Sequence, residues 1–298
     1  DSAMYRAKEA GRNSFVFYTA DLTEQASRKV RMEMELRHAC ERGELELVYQ
    51  PQIELETGRV TGVEALLRWN SPVLGRVSPG DFIPLAEETR LILPIGHWVL
   101  KQACREFRQL LDRGLELERL AVNVSAEQAQ HANLVDSVLH ALAESGLEAH
   151  RLEVEVTEAA FMVETATAID NLNRLYEAGV QVAVDDFGTG FSSLAYLKQF
   201  PVSRLKIDQS FVRDMLADPN DHAIVRSVIA LGRGMELRVI AEGVETDDQA
   251  RELLAEGCGE AQGFLYSRPQ GLEPLAEYLG KGAMLPAGTG TSTSSRRG

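Results

Sequence analysis

Eight short β-like segments, most of them separated by amphipathic helical segments, predict an α/β fold: a TIM-like (β/α)8 barrel. At 298 residues the chain is long enough for one such domain with a well-buried core. Each β-like segment also ends at or near a polar residue, and in a barrel such residues converge at the carboxyl-terminal mouth. The predicted strands are residues 47–55, 60–69, 119–125, 151–158, 180–187, 204–208, 237–243 and 261–267.

The connections between strands predict the strand directions. Amphipathic segments at 127–145, 166–178, 221–233 and 247–256 are typical of the crossover helices that join parallel strands, and several of them end at a glycine. Only residues 56–59 join the first two strands, which is too short for a parallel crossover. We therefore expect the first strand to be antiparallel to the others.

The two ends of the chain differ from the barrel segment. Residues 21–42 are predicted to form a long helix, because Asp21 followed by Glu24 resembles a capping box. The Gly-, Ser- and Thr-rich segment that closes the chain is typical of a flexible tail. We expect one domain over residues 21–281, preceded by a separate segment at 1–20 and followed by a tail at 282–298.

The composition limits the classes of partner and location. With 31 Lys and Arg against 45 Asp and Glu, the net charge is −14, which disfavours binding of a nucleic-acid polymer or an anionic membrane through bulk charge. Three distant cysteines predict neither a disulfide framework nor a zinc cluster, so a reducing cytoplasm fits best. The sequence shows no apolar run of about 18 residues and no signal-peptide pattern, so we expect no membrane contact by this segment.

The first chemical cluster lies on the second predicted strand. Glu64 and Arg68 are four residues apart and therefore face the same side of a strand. A carboxylate there can hold a cation and a guanidinium can hold a phosphate. A surface salt bridge along the strand is an equally good interpretation of this pair alone.

Carboxylates and an amide at the ends of three further strands suggest a metal site. Asn123 and Glu155 alternate with apolar residues, and an unpartnered polar group facing a barrel core would be costly. Asp185 and Asp186 are adjacent and would repel each other unless a cation or protons intervene. Oxygen ligands of this kind suit Mg²⁺ or Mn²⁺ rather than zinc. The alternative is that some of these polar residues cap the following helices.

The segment Phe187–Ser193 contains two glycines and superficially resembles a dinucleotide-binding loop. A serine replaces the third glycine, and two aspartates beside a pyrophosphate would oppose its binding without a metal. We therefore predict a mobile loop that carries Asp186 and closes over the site.

The last strands add a lysine, further acids and an amide. Lys206 and Asp208 share one strand face, so both can reach the mouth. Glu242 and Glu245 form an acid pair, although Glu245 could simply be a charge at a helix N-terminus. Gln262 offers a hydrogen-bonding amide. A strand-end lysine also fits a lyase or aldolase that forms a Schiff base, but the density of carboxylates opposes that interpretation.

The sequence contains no nucleophile elbow, and its histidines show no metal-binding spacing. We interpret the histidines as structural or surface groups. They are His38, His97, His131, His140, His150 and His222.

Seven motifs in the same order resemble those of the EAL-domain family, whose members are cyclic di-GMP phosphodiesterases. The resemblance covers about residues 21–281. Residues 1–20 resemble the last helix and turn of a GGDEF diguanylate cyclase domain, without its signature motif. The seven EAL-like motifs are Glu64-Ala65-Leu66-Leu67-Arg68-Trp69, Asn123-Val124-Ser125, Glu155-Val156-Thr157-Glu158, Asp185-Asp186-Phe187-Gly188-Thr189-Gly190, Leu205-Lys206-Ile207-Asp208, Ala241-Glu242-Gly243-Val244-Glu245 and Gln262-Gly263.

The resemblance implies a role for each matched residue. It implies metal-dependent hydrolysis of cyclic di-GMP to linear 5′-pGpG, with two cations, Mg²⁺ or Mn²⁺, that activate water, and it implies a homodimer. Lys206 and Glu242 would be catalytic, and Glu158 and Glu245 would support the loop that carries Asp186. The implied metal ligands are Glu64, Asn123, Glu155, Asp185, Asp186 and Glu242. The implied substrate contacts are Gln50, Leu66, Arg68, Asp208 and Gln262.

Two positions depart from the family pattern. Gly259 stands where many relatives carry Asp, and Arg90 stands where many carry Gly. Neither position is an implied metal ligand. The alternative function is a cyclic di-GMP receptor that binds without turnover, but every implied ligand is present, which favours the enzyme.

Overall fold

The computed structural model describes residues 20–158, 160, 166–190, 197 and 200–281. The predicted segment at 1–20, except its last residue, and the predicted tail at 282–298 lie outside the described residues, as do positions 191–193 of the predicted loop. The chain clusters into two compact units: Asp1–Glu46 with Leu67–Ile95, and Leu47–Leu66 with Gly96–Gly298.

The described elements alternate between strand and helix along most of the chain. The strands are β1 (Leu45–Glu54), β2 (Val60–Ser71), β3 (Gly75–Val77), β4 (Arg119–Asn123), β5 (Leu152–Thr157), β6 (Gln181–Phe187), β7 (Arg204–Ile207), β8 (Arg238–Ala241) and β9 (Glu260–Ala261). The helices are α1 (Ala20–Leu36), α2 (Pro79–Glu88), α3 (Ile92–Asp112), α4 (Ala126–Ala129), α5 (Leu134–Ser145), α6 (Ala166–Glu177), α7 (Gln209–Asp214), α8 (Pro219–Gly234), α9 (Asp247–Glu256) and α10 (Leu272–Gly280).

The strands of the second unit form a closed, mixed eight-stranded barrel. The order is β1-β9-β8-β7-β6-β5-β4-β2, and β1 also pairs with β2, which closes the sheet. The pairs from β2–β4 to β8–β9 are parallel, whereas β1 is antiparallel to β9, with Ile53 opposite Ala261. The predicted barrel and its antiparallel first strand are confirmed.

Along the strands, buried apolar residues alternate with the polar residues that meet inside the barrel, such as Asn123 and Glu155. Val122, Val154 and Val182 are fully buried at the centres of three neighbouring strands. The apolar runs at 120–122 and 182–184 are typical of strands that are covered on both faces, which is why β4 and β6 could be predicted from the sequence. In the first unit, Trp69 is buried, packs edge-to-face on Phe82 at 5.6 Å and donates its Nε1–H to Glu44 at 3.0 Å.

Glycines end the crossover helices as predicted. Gly146 and Gly257 are left-handed C-caps with φ of 68° and 88°, and Gly179 follows α6 with φ of 95°. These conformations are cheap for glycine because it has no Cβ. Helix α9 matches its predicted bounds and begins with a capping box formed by Thr246 and Gln249.

Three elements differ from the sequence prediction. The first helix ends at Leu36 rather than at residue 42, because turns that include the left-handed Gly43 follow it. The segment 127–145 divides into α4 and α5, and Asn171 donates to the carbonyls of Ala129 and His131 at the break. The last strand is only Glu260–Ala261, since the chain after it bonds to the backbone of the segment following β8.

None of the helices in the described part of the chain combines the length and the apolar character that a bilayer-spanning segment needs.

Candidate active site

The predicted polar residues lie at the carboxyl ends of the barrel strands in the second unit. Asn123 ends β4 and stands directly opposite Glu155 on β5. Lys206 is on β7, while Glu242 follows β8 and Gln262 follows β9. Parallel register therefore brings to one mouth side chains that are far apart in the sequence.

Lys206 is the centre of the cluster. Its side chain is fully buried, and Nζ lies 2.7 Å from Glu155 Oε2 and 2.7 Å from Glu242 Oε1. Nζ is also 3.2 Å from Asp185 Oδ1 and 3.7 Å from Glu64 Oε2. One ammonium thus contacts four carboxylates, three of them on strands β2, β5 and β6 and the fourth directly after β8.

Amides hold Glu64 in place beside this lysine. Asn123 Nδ2 donates to Glu64 Oε1 at 2.7 Å, and Gln262 Nε2 donates to Glu64 Oε2 at 2.5 Å. Gln262 also donates to Gln50 Oε1 at 3.1 Å, and Gln50 in turn donates to the Ser267 carbonyl. These contacts fix the orientation of the carboxylate without neutralising its charge.

A bulge at the end of β6 brings two adjacent aspartates to the same site. Successive side chains of a regular strand point to opposite faces. Between Val184 and Phe187 the pairing of β6 with β7 shifts register, and Asp186 takes a left-handed conformation with φ of 54°. An extra residue of this kind changes the direction of a side chain. As a result, oxygens of Asp185, Asp186 and Glu242 lie within 4.8 Å of one another.

The backbone after the bulge is held by Glu158. Its Oε2 accepts the N–H groups of Gly188 at 2.9 Å and Gly190 at 3.3 Å. A Cβ at Gly190 would lie only 3.0 Å from Glu158 Oε1, so glycine allows this close approach. Gly188 has φ of 103°, which a residue with a side chain rarely adopts.

Asp208 caps helix α7 beside Asp186. Its Oδ1 accepts the backbone N–H of Ser210 at 3.0 Å and also the Ser210 hydroxyl. Burial, and then the charges of Asp185 and Asp208, raise the pKa of Asp186 to about 6. An aspartate in this environment binds a proton readily unless a cation replaces it.

Three predicted site residues have different surroundings. Arg68 belongs to the first unit, where Nη1 donates to the Leu67 carbonyl. Leu66 is half-buried on β2. Glu245 is exposed just before the N-cap of α9, and its backbone N–H donates to Gln249. This position fits the alternative interpretation of Glu245 as a charge at a helix N-terminus.

Burial and charge perturb the acids and the lysine strongly. Burial opposes the charged form of Lys206, but the surrounding carboxylates outweigh it and raise its pKa well above the usual value. Burial raises the pKa of Glu242 to about 8 against the influence of Lys206. Burial also raises the pKa of Glu155 well above its usual value, with Glu64 and Asp185 adding to the effect. Burial opposes ionisation of Glu64, but Lys206 and the amides of Gln262 and Asn123 lower its pKa overall.

The protonated state of Lys206 argues against the Schiff-base alternative, because an amine must lose its proton before it can attack a carbonyl.

The residues present fit a group of divalent cations. Glu155 Oε1 is buried and has no hydrogen-bond partner among the described residues. Buried carboxylate oxygens are normally paired, so this oxygen is available as a ligand. Four carboxylates contact a single ammonium and Asp186 lies beside two of them, an excess of acidic groups that one or two divalent cations would offset.

Some features of the site were not found from the sequence. The Ser267 carbonyl that orients Gln50 is a backbone atom and leaves no side-chain signal. The hydroxyl of Ser210 on Asp208 was also missed, although a serine two residues after an aspartate at a strand end is a recognisable helix-capping pattern.

The EAL domain family model matches residues 33–269. The chain belongs to the EAL domain family. Its EAL domain is similar to two Pseudomonas aeruginosa proteins: the bifunctional diguanylate cyclase/cyclic di-GMP phosphodiesterase MucR, 46% identical over 92% of the chain, and the cyclic di-GMP phosphodiesterase NbdA, 44% identical over 93%. The chain spans 40% of the length of MucR and 35% of NbdA.

Solved structures show the same architecture. The structure of the PaMucR phosphodiesterase in complex with c-di-GMP superimposes on this EAL domain with a TM-score of 0.79 and 48% identity, covering 82% of the chain and 99% of that structure.

Proposed function

We propose that this EAL domain hydrolyses cyclic di-GMP to linear 5′-pGpG in a reaction that depends on Mg²⁺ or Mn²⁺. The observation that carries the proposal is the ring of buried carboxylates around Lys206, with an unpartnered Glu155 oxygen, at the mouth of the barrel. Two relatives that are 46% and 44% identical to this chain are named as cyclic di-GMP phosphodiesterases, which supports the choice of substrate.

The acidic ring divides into two ligand sets. Glu64, Asn123, Glu155 and Asp185 would hold one cation, and Asp185, Asp186 and Glu242 would hold the second. Turning the Asn123 amide would present its oxygen beside Glu64, where its NH₂ group now donates. Two divalent cations bound there would activate water and stabilise the charge that develops on phosphorus.

Glu242 and Lys206 would handle the attacking water. Glu242, whose Oε1 lies 2.7 Å from Lys206 Nζ, would act through water as the acceptor of the proton of the attacking water. Lys206 keeps its proton and therefore acts as a positioning donor and a fixed positive charge. Water would displace the ribose 3′-oxygen in line and leave the phosphate on the 5′ side.

Polar groups around the acidic ring would bind the nucleotide. Gln262 Oε1 is buried without a hydrogen-bond partner among the described residues and is available to accept from the substrate. Gln50, Leu66 and Asp208 would complete the contacts, and the Arg68 guanidinium would bind phosphate in a molecule of net charge −14.

The segment that carries Asp186 would need support in the working enzyme. Glu158, which accepts two backbone N–H groups of that segment, would hold it in place. Glu245 would assist from the start of α9.

Chromatography of cyclic di-GMP after incubation with the 298-residue protein tests this proposal. Conversion to pGpG with Mg²⁺ or Mn²⁺ and no conversion in EDTA is expected. Glu155→Gln should abolish turnover, whereas Glu144→Gln, a change in an exposed ion pair on α5, should leave it intact. Intact nucleotide that stays bound to the protein would instead indicate a receptor.

The wider organisation of the protein forms part of the same proposal. Residues 1–20 would be the end of a GGDEF-like domain, residues 21–281 the phosphodiesterase domain and 282–298 a tail. The domain would act in the cytoplasm as a homodimer on a small nucleotide rather than on a nucleic-acid polymer, and a full-length parent could be anchored to the inner membrane. Sedimentation of the purified chain tests the dimer.

A further inference from the structure

A second group of metal-ligating side chains lies on the outer helices of the second unit. His222 is in the first turn of α8, and Glu252 and Glu256 are one turn apart on α9. His222 Nε2 is 3.2 Å from Glu252 Oε1 and 3.2 Å from Glu256 Oε1. The three ligand atoms all lie within 4.8 Å of one another. None of these residues belongs to the candidate active site.

The distances in this group match the edges of a zinc coordination tetrahedron. Zinc binds histidine nitrogen and carboxylate oxygen at about 2.0–2.2 Å in tetrahedral sites, so neighbouring ligand atoms lie roughly 3.4 Å apart. Both measured separations from Nε2 are close to that value. The group therefore needs little rearrangement to bind a cation.

Hydrogen bonding does not account for the convergence. The His222 Nε2 atom is buried and has no hydrogen-bond partner of acceptable geometry among the described residues, although two carboxylates are nearby. Buried polar atoms usually have a partner. A cation on the lone pair of a neutral imidazole would supply one.

The charges around the group point the same way. Two glutamates at i and i+4 on one helix repel each other unless positive charge lies between them. Arg226 Nε is 3.3 Å from Glu256 Oε2, which is the oxygen that does not face His222. This contact holds the carboxylate while leaving Oε1 free, as the outer partners of metal ligands usually do.

We propose that His222, Glu252 and Glu256 bind a Zn²⁺ ion, with water as the fourth ligand. One imidazole with two carboxylates suits zinc, whereas Mg²⁺ prefers a shell of oxygen atoms. The ion links α8 to α9. Helix α8 packs on β7, which carries Lys206, and on β8, which directly precedes Glu242. The link between the helices therefore stabilises the part of the barrel that positions these two residues.

Zinc titration of the metal-free chain by calorimetry, in excess Mg²⁺ to occupy the oxygen-rich active site, tests the proposal. His140→Gln is the matched control, because His140 Nε2 also lies 3.2 Å from a glutamate but pairs with a single carboxylate in the described part of the chain. The parent and His140→Gln should each bind one zinc more per chain than His222→Gln. Zinc should also raise the thermal midpoint of the first two proteins more than that of His222→Gln.

Equal zinc stoichiometry, affinity and thermal shift in the parent and His222→Gln would overturn the proposal, as would absence of zinc uptake by the parent. Glu252→Gln is a second test, since this side chain is 37% exposed and its change leaves the barrel core untouched. It should lose the same zinc ion, and retention of that ion would also overturn the assignment.

Discussion

The Lys206 ammonium holds the buried acids of the active site together, and Lys206→Met removes this charge while keeping an unbranched side chain. Four carboxylates lie 2.7–3.7 Å from Nζ, and the lysine is completely buried. Removing one partner from a buried ion pair costs about 3–5 kcal/mol, because the remaining charge is left uncompensated. We expect a loss of that size in the free energy of unfolding in EDTA at neutral pH.

The matched control is Lys101→Met. Lys101 Nζ lies 2.8 Å from Glu144, but its side chain is 50% exposed, and exposed ion pairs contribute about 0.2–1 kcal/mol. Urea denaturation of both variants, with and without Mg²⁺, separates burial from simple pairing. Mg²⁺ should reduce the loss caused by Lys206→Met, since a bound cation replaces the missing charge, and should not change the effect of Lys101→Met.

Acid should also reduce the loss caused by Lys206→Met. Without the ammonium, the buried carboxylates of the folded variant bind protons more tightly than they do in the unfolded chain. Their charge therefore destabilises the fold increasingly as the pH rises. Equal losses for the two variants, or a loss at Lys206 that neither Mg²⁺ nor low pH changes, would refute the reasoning.

Three further predictions follow from single residues. In the cation-free protein the pKa of Glu242 is about 8 instead of 4.5, so the free energy of unfolding should fall as the pH rises between those values. Mg²⁺ should make this fall smaller. If urea denaturation shows the same dependence of the unfolding free energy on pH with and without Mg²⁺, the prediction is wrong. Gly190→Ala should lower turnover several-fold because its Cβ would crowd Glu158, whereas Gly259→Ala, in open space, should leave turnover unchanged. Equal turnover of the two variants would exclude the role of Glu158 in holding the segment that carries Asp186. Arg90→Gly should raise the free energy of unfolding by about 0.5–1 kcal/mol. A φ of 59° strains a residue that has a Cβ, and relief of this strain outweighs the extra conformational entropy of glycine in the unfolded chain. A lower midpoint of urea denaturation for the variant would disprove the prediction.

The barrel could be predicted from the sequence because its strands are covered on both faces. Buried strands such as β4 and β6 are continuous apolar runs with a polar residue at the end, and the register of parallel strands then dictates which ends meet. The four-residue connection at 56–59 was enough to predict the reversed first strand. The last strand was overestimated, because β9 pairs over only Glu260–Ala261 before the backbone turns towards Val244.

The details of the site depend on tertiary structure that local patterns do not encode. Two adjacent aspartates were visible, but not the bulge and the left-handed Asp186 that bring both to one cluster. Likewise, the sequence led to the interpretation of His222 as a structural or surface group, because its two carboxylate neighbours follow 30 or more positions later and meet it only when α8 packs beside α9. The left-handed Arg90 gives a physical reason why a glycine would suit that position.

The most direct test of the central claim is hydrolysis of cyclic di-GMP in ¹⁸O-labelled water, followed by mass spectrometry of the product. Attack of water on phosphorus with loss of the ribose 3′-oxygen predicts pGpG that carries one ¹⁸O atom in its 5′-phosphate, formed with Mg²⁺ or Mn²⁺ and absent in EDTA. Unlabelled product, label elsewhere in the molecule, or nucleotide that binds and remains intact with either cation would contradict the account.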